Sequence, residues 1–357
     1  MKRDHQMIGT NTINPRQRAG RILWRWAKRL ALSLLTLAVL AALGAATYQA
    51  AATRKLERNH PAPGKLFDVG GHRLHLHSQG SGSPAVILDA GLSGASYDWE
   101  TVAAGIAQFT QVCTYDRAGY GWSDPGPQPR TSQQAVEELR TLLQKADVKP
   151  PVLLLGHSWA GLNARLYASK YPDEISGLVL VDAVNTDLLP DTEPLGQVSK
   201  LFRFLNLTAC LGTPRFTVRR IINAPANDPS ALEFRRAMLS RTKSAQAIYD
   251  ELTGESNWLS VRSALKPLGE KPVVVISQLI EEADCVGEAG AGNLQWEQGQ
   301  KALLGISKNC RRIIAKTKGH NIQFNEPAVI VDSVHELVKA VRAEAGGSKL
   351  IPPPSTR

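Results

Sequence analysis

Two apolar patterns divide this chain. From Leu30 to Thr53 no residue is charged, and LALSLLTLAVLAALGAA is apolar apart from Ser33 and Thr36. With TYQAAAT appended, the run reaches the roughly 20 residues a helix needs to cross a bilayer. Beyond it the apolar runs are short and bounded by glycine or acidic residues. LFDVGGHRLHLHSQG predicts a hairpin turning at Gly70-Gly71, with Leu74 and Leu76 alternating with His75 and His77. Strands are expected at 85–90, 112–115, 152–156, 177–181, 273–277 and 312–315. Helical periods fill 131–145, opened by Thr131 as a cap, and also 162–170 and 328–340.

Near-continuous apolar strands alternating with helices imply an α/β fold, with a mostly parallel sheet covered by helices on both faces. The interval 186–268 breaks the alternation. Its runs SKLFRFLN and ALEFRRAMLSRTKSAQAIYDELTG are helical in pattern and read as an inserted cap. The core is then expected at 65–185 and 269–344, with a disordered tail at 345–357. No internal repeat is visible.

Charge sharpens the reading of the leader. The net charge of +10 is concentrated before Asn59, where eleven basic residues face only Asp4 and Glu57, leaving about +1 for the remainder. Such a distribution speaks for membrane-surface affinity and topology and against nucleic-acid binding. Arg16, Arg18, Arg21, Arg25, Lys28 and Arg29 crowd the N-terminal flank of the apolar run. Trp24, Trp26 and Tyr48 sit where interfacial aromatics belong. A basic cytoplasmic leader (1–29), a transmembrane anchor (30–52) and an exposed linker (53–64) are expected, with everything after the helix outside the cytoplasm. Ala50-Ala51-Ala52 offers a small-residue cleavage site, but a signal peptide of this length would exceed the usual 15–30 residues.

The chemistry centres on PVLLLGHSWAGLNARLYASKYP. A buried strand runs into Gly156-His157-Ser158-Trp159-Ala160-Gly161 and a helix follows. This context presents a serine hydroxyl above a sheet edge, and it needs small residues two before and two after the serine. Gly156 and Ala160 meet that need, although glycine is commoner at both. Acyl transfer also needs donors for the tetrahedral oxygen: the N–H of Trp159, and one from the loop Gly91-Leu92-Ser93-Gly94, where Leu92 is the expected donor. His320, in a loop after the last strand, can reach back to Ser158 as its base. His335 falls within the closing helix and reads as surface, while His157 lines or supports the serine turn. His72, His75 and His77 suggest a metal cluster, but strand alternation and a glycine turn explain them without one. The cysteines Cys113, Cys210, Cys285 and Cys310 lack CxxC spacing. Cys113 and Cys310 read as buried hydrophobes, and a Cys210–Cys285 disulfide is conceivable in an exported domain.

VILDAGLSGASYDW, YDRAGYGWSDPG, GHSWAGLNARLYASKYPDEISGLVLVDA and GHNIQFNEP together resemble the α/β-hydrolase superfamily, especially a bacterial branch with an N-terminal membrane segment. The resemblance covers roughly Gly64 to Ala340, apart from the cap. It implies that fold, with Ser158 as nucleophile and His320 as base. Relatives with an aspartate nucleophile are disfavoured by Ser158. It says little of substrate, because the fold hosts many chemistries. Asp116 and Arg117 read as a buried turn network, and Trp99 and Trp122 as core.

The expected mechanism is cleavage of a carboxylic ester or related acyl bond through an acyl-enzyme, without cofactor or metal. The expected partners are a small acyl substrate and the membrane, with oligomeric state open. The cap run Leu201, Phe202, Phe204, Leu205 and Leu207 suits either a pocket wall or packing on the core. Two other readings stand: a cofactor-free perhydrolase or C–C hydrolase on the same residues, and a non-catalytic binding protein of the same fold. For the triad acid, Asp182 directly follows the strand LVLV. Glu281, Glu282 and Asp284 follow the later strand VVVIS. Asp182 is preferred because a base and its orienting acid must form a rigid pair, but the later acids remain open.

Overall fold

The computed structural model describes residues 15–186, 196–221, 229–254 and 258–345. Helix α1 (Pro15–Asn59) is continuous. From Ile22 to Leu43 its large apolar side chains are exposed, and the helix is long and apolar enough to cross a membrane. It runs further than expected. Residues 53–59, read above as linker, extend the helix until Pro61, whose ring and missing N–H prevent continuation.

Eight strands form one sheet in the order β1-β2-β4-β3-β5-β6-β7-β8. Strands β1 (Lys65–Asp68) and β2 (Arg73–Gln79) make the hairpin, and β2 pairs antiparallel with β4 (Val112–Tyr115). All other pairings are parallel: β3 (Val86–Asp89), β5 (Val152–His157), β6 (Ile175–Val181), β7 (Val273–Ser277) and β8 (Cys310–Ile314). Successive side chains in a strand point to opposite faces, and the core divides accordingly. Leu154, Leu178, Leu180 and Val275 pack with α3 (Ser132–Lys145) and α4 (Ala160–Lys170). Leu153, Leu155, Val179 and Ile276 pack with α2 (Glu100–Ile106) and the closing helix near the C-terminus. Thr131 caps α3 by accepting from the Gln134 N–H at 3.1 Å.

Between β6 and β7 the longer described elements are helices: α5 (Gly196–Leu207), α6 (Pro214–Ile221), α7 (Pro229–Leu239), α8 (Thr242–Gly254) and α9 (Trp258–Ala264). After β7 comes α10 (Gly287–Ala302); after β8 come α11 (Ile322–Asn325) and α12 (Pro327–Ala345). Nearly all of the expected tail, from 346 on, lies outside the described residues, as do the first fourteen residues of the leader.

Some expectations need correction. All four cysteines are free thiols, so Cys210 and Cys285 form no disulfide. His335 is half-buried rather than on the surface, its ring centroid 4.5 Å from that of Phe109. In the cap run, Leu205 is buried and Phe202 packs inward, whereas Leu201, Phe204 and Leu207 face outward.

Candidate active site

Strand β5 ends in a turn at Ser158, whose φ of 52° lies in the left-handed region. That conformation is costly for a residue bearing a Cβ. Tight packing enforces it. A side chain on Gly156 would meet the Ala160 carbonyl, and one on Gly161 would collide with Ala183. The Ser158 N–H donates to the Val181 carbonyl at 3.0 Å, which ties the turn to the end of β6.

Asp182, one residue beyond β6, is fully buried and also has a positive φ, 41°. Its Oδ1 accepts from the Gln278 N–H at 3.2 Å and from the Trp296 indole at 3.0 Å. Its Oδ2 lies 2.6 Å from His320 Nδ1, and His320 Nε2 lies 2.9 Å from Ser158 Oγ. The three residues expected to act together are thus in one hydrogen-bonded line across three strand ends. The later acids lie elsewhere: Glu281 and Asp284 hold Lys318 at 2.7 and 3.0 Å on the surface. Trp296, on α10, stands edge-on to the His320 ring at 5.4 Å.

His157 braces His320 from behind. Its Nε2–H donates to the His320 carbonyl at 3.1 Å, and the two rings are 4.7 Å apart. Burial, with help from the neighbouring His320, holds its pKa down to about 3. The His157 ring therefore stays neutral and adds no positive charge beside His320.

The Gly91 loop abuts the serine: a Cβ on Gly91 would sit 3.0 Å from that of Ser158. Its orientation is set by Arg117, which donates to the carbonyls of Ala90 and, at 3.0 Å, Gly91. A trans peptide points its N–H opposite to its carbonyl. Fixing the Gly91 carbonyl therefore also fixes the N–H of Leu92. The same logic holds at Ser158, whose carbonyl accepts from Gly161 and Val184 at 3.0 and 3.1 Å and so sets the Trp159 N–H.

Arg117 is itself buried and paired. It contacts Asp89 at 2.5 Å and grips Glu251 of α8 through two bonds of 2.7 and 3.0 Å. Burial raises the Asp89 pKa, partly offset by Arg117, and the carboxylates beside Arg117 push its own pKa up against burial. Removing one partner of such a buried group costs roughly 3–5 kcal/mol. Arg117→Met is expected to lower stability on that scale in chemical denaturation, with Glu251→Leu in the same chain restoring part of the loss. A drop below about 1 kcal/mol would contradict this account.

Asp116 next to it accepts from the amides of Ser96 and Trp122 at 2.7 and 2.8 Å and from His75 Nδ1 at 2.9 Å. Burial raises its pKa, but these bonds prevail and lower it. A side chain on Gly121, where φ is +43°, would collide with this carboxylate. The other ring nitrogen of His75 accepts from Gly64 at 3.0 Å, and His72 lies 3.1 Å from Glu138. Trp99 is wholly buried, and the Trp122 indole donates to the His60 carbonyl at 2.9 Å. Among the described residues, no three His, Cys, Asp or Glu side chains are disposed to hold a metal.

Sequence patterns did not reveal Trp296, Gln278 or Glu251. Each reaches the site from a distant segment without a local motif.

The family model described as the alpha/beta hydrolase fold matches residues 84–259. The uncharacterized protein YqjL of Bacillus subtilis (strain 168) is 27% identical over 274 residues, 76% of this chain and 91% of its own. A thermophilic esterase from Thermogutta terrifontis superposes with a TM-score of 0.60 at 18% identity, over 76% of this chain and 94% of its own. The epoxide hydrolase CorEH does so with a TM-score of 0.61 at 15% identity, over 78% and 99%. Neighbours of different chemistry at such identities share the fold alone. With this sheet order, the serine turn after β5 and the matched family model, the chain has the α/β-hydrolase fold.

Proposed function

We propose that this chain is a serine hydrolase that cleaves a carboxylic ester or related acyl bond. The observation that carries the reading is the line Ser158 Oγ–His320–Asp182, with contacts of 2.9 and 2.6 Å. In this mechanism Ser158 attacks the carbonyl carbon as His320 Nε2 takes its proton. The developing oxyanion is held by the N–H groups of Leu92 and Trp159, whose peptide planes are pinned from behind. His320 then protonates the leaving alcohol. Water activated by the same histidine releases the acid from the acyl-enzyme. Asp182 fixes the histidine tautomer and stabilises the imidazolium. Labelling with a fluorophosphonate probe, followed by esters of increasing acyl length, tests the reading. An unlabelled protein that turns over none of the esters would refute it.

We further propose that this site lies outside the cytoplasm. The apolar run of α1 and its basic N-terminal flank support that orientation. Retention of the leader is supported by Gln49, which is buried and donates to the Ser240 carbonyl at 2.8 Å. Cleavage at Ala50–Ala52 would detach it. A reporter active only in the cytoplasm, fused after Arg357, is expected to stay silent, and one fused ahead of Met1 to be active. The reverse pattern would overturn the orientation.

A further inference from the structure

Helix α5 is apolar on two sides. Phe202 packs on the cluster that joins the insertion to Ala95 and Tyr120, and Leu205 is buried, while Leu201, Phe204 and Leu207, spaced three apart, face outward. Leu211, in the 3₁₀ turn after α5, and Phe216 of α6 extend the outward face. Leu207 is 70% and Phe216 77% exposed. A contiguous apolar surface of this kind on a soluble face marks an interaction site.

Its position identifies what covers it. The insertion meets α1 at Tyr48 and Gln49. Arg215, next to Phe216, donates to Gln49 Oε1 at 2.5 Å, and its guanidinium lies 6.0 Å from the Tyr48 ring. A side chain on Gly212, next to Leu211, would come within 3.3 Å of the same Gln49 oxygen. From Leu30 to Tyr48 the helix rises about 27 Å at ~1.5 Å per residue, close to the ~30 Å of a hydrocarbon core. The apolar face therefore begins at the height where the bilayer interior ends. Exposed Lys200, Arg203, Arg54, Lys55 and Arg58 lie on the elements that form or adjoin it and complement anionic headgroups.

We propose that the outward face of α5, the following turn and α6 lies in the headgroup layer of the bilayer that α1 crosses, with lipid as its occupant. The inference rests on α1 spanning the membrane and is independent of the acyl-transfer chemistry. Cys210, exposed in the 3₁₀ turn beside Leu211, is a native labelling site. In a full-length chain carrying Cys285→Ser and Cys310→Ser, Cys210 takes a polarity-sensitive fluorophore. The control is Lys149→Cys with Cys210→Ser in the same background, labelled at a side chain 77% exposed. Both proteins are reconstituted into phosphatidylcholine vesicles with a minor fraction of phosphatidylglycerol.

The label at Cys210 is expected to be blue-shifted and quenched several-fold more than the control by lipids spin-labelled near the headgroup. Phe216→Asp is expected to abolish that difference while leaving turnover of a short water-soluble ester unchanged. Equal quenching of both labels by aqueous iodide would overturn the proposal. So would shielding from iodide and lipid alike that disappears on dilution, which would identify a second copy as the occupant. Release of the chain by carbonate would remove the premise, and absence of ester turnover would bear only on the catalytic reading.

Discussion

Ser158→Ala is expected to abolish both fluorophosphonate labelling and ester turnover while the fold survives. Alanine keeps the small volume that the turn requires, and the packing of Gly156 and Gly161 around it is unchanged. One lost oxyanion donor lowers turnover by roughly 10²–10³; loss of a triad serine should exceed that, on the order of 10⁶. Stability offers a second readout. A side chain at φ 52° costs roughly 1–2 kcal/mol, whereas glycine costs about 0.5–1 kcal/mol through its freedom when unfolded. Ser158→Gly should thus be at least as stable as Ser158→Ala. Near wild-type turnover by either variant would end the nucleophile assignment.

Asp182→Asn is expected to keep the fold and lower turnover by something like 10³–10⁴. Asparagine tolerates the left-handed backbone found there. Two fixed donors, the Gln278 N–H and the Trp296 indole, point at Oδ1, so the amide oxygen of the variant settles on that side. Its NH₂ then faces His320 Nδ1 and donates to it, which forces the ring proton to Nε2. A histidine protonated there cannot accept from Ser158. If Asp182→Asn kept most of its activity while Glu282→Gln or Asp284→Asn lost it, the acid would lie after β7 instead.

The sheet was legible because its strands are short apolar runs with glycine or acidic ends, and the serine turn because its constraints are local. The choice between Asp182 and the later acids was not, since both groups follow buried strands of one sheet edge. What separates them in space is the set of donors around Asp182. The key donor, Trp296, sits on α10, whose Gly287, Gly290, Gly292 and Gly299 obscure a helical signal. The extent of α1 was misjudged for a related reason. Residues 53–59 are polar except for Leu56 and look like linker, but a helix already begun in the apolar run propagates through good helix formers until proline stops it. The role of Arg117 depends on Glu251, 134 positions away, a separation at which pattern carries no information.

The grip of Gln49 on the insertion bears on how this protein can be handled. A shortened chain begun at Ala62 is the natural choice for a water-soluble preparation. It would lack the side chain that bonds Ser240 and Arg215, and also Glu57, which lies 3.6 Å from the buried Arg241. Those contacts steady the junction of α7 with α8, and α8 carries Glu251, the partner of Arg117. Arg117 in turn sets the peptide that aims the Leu92 N–H. Removing α1 would thus be felt through a chain of buried bonds at the Gly91–Leu92 loop. Rates measured on such a fragment would understate those of the intact chain.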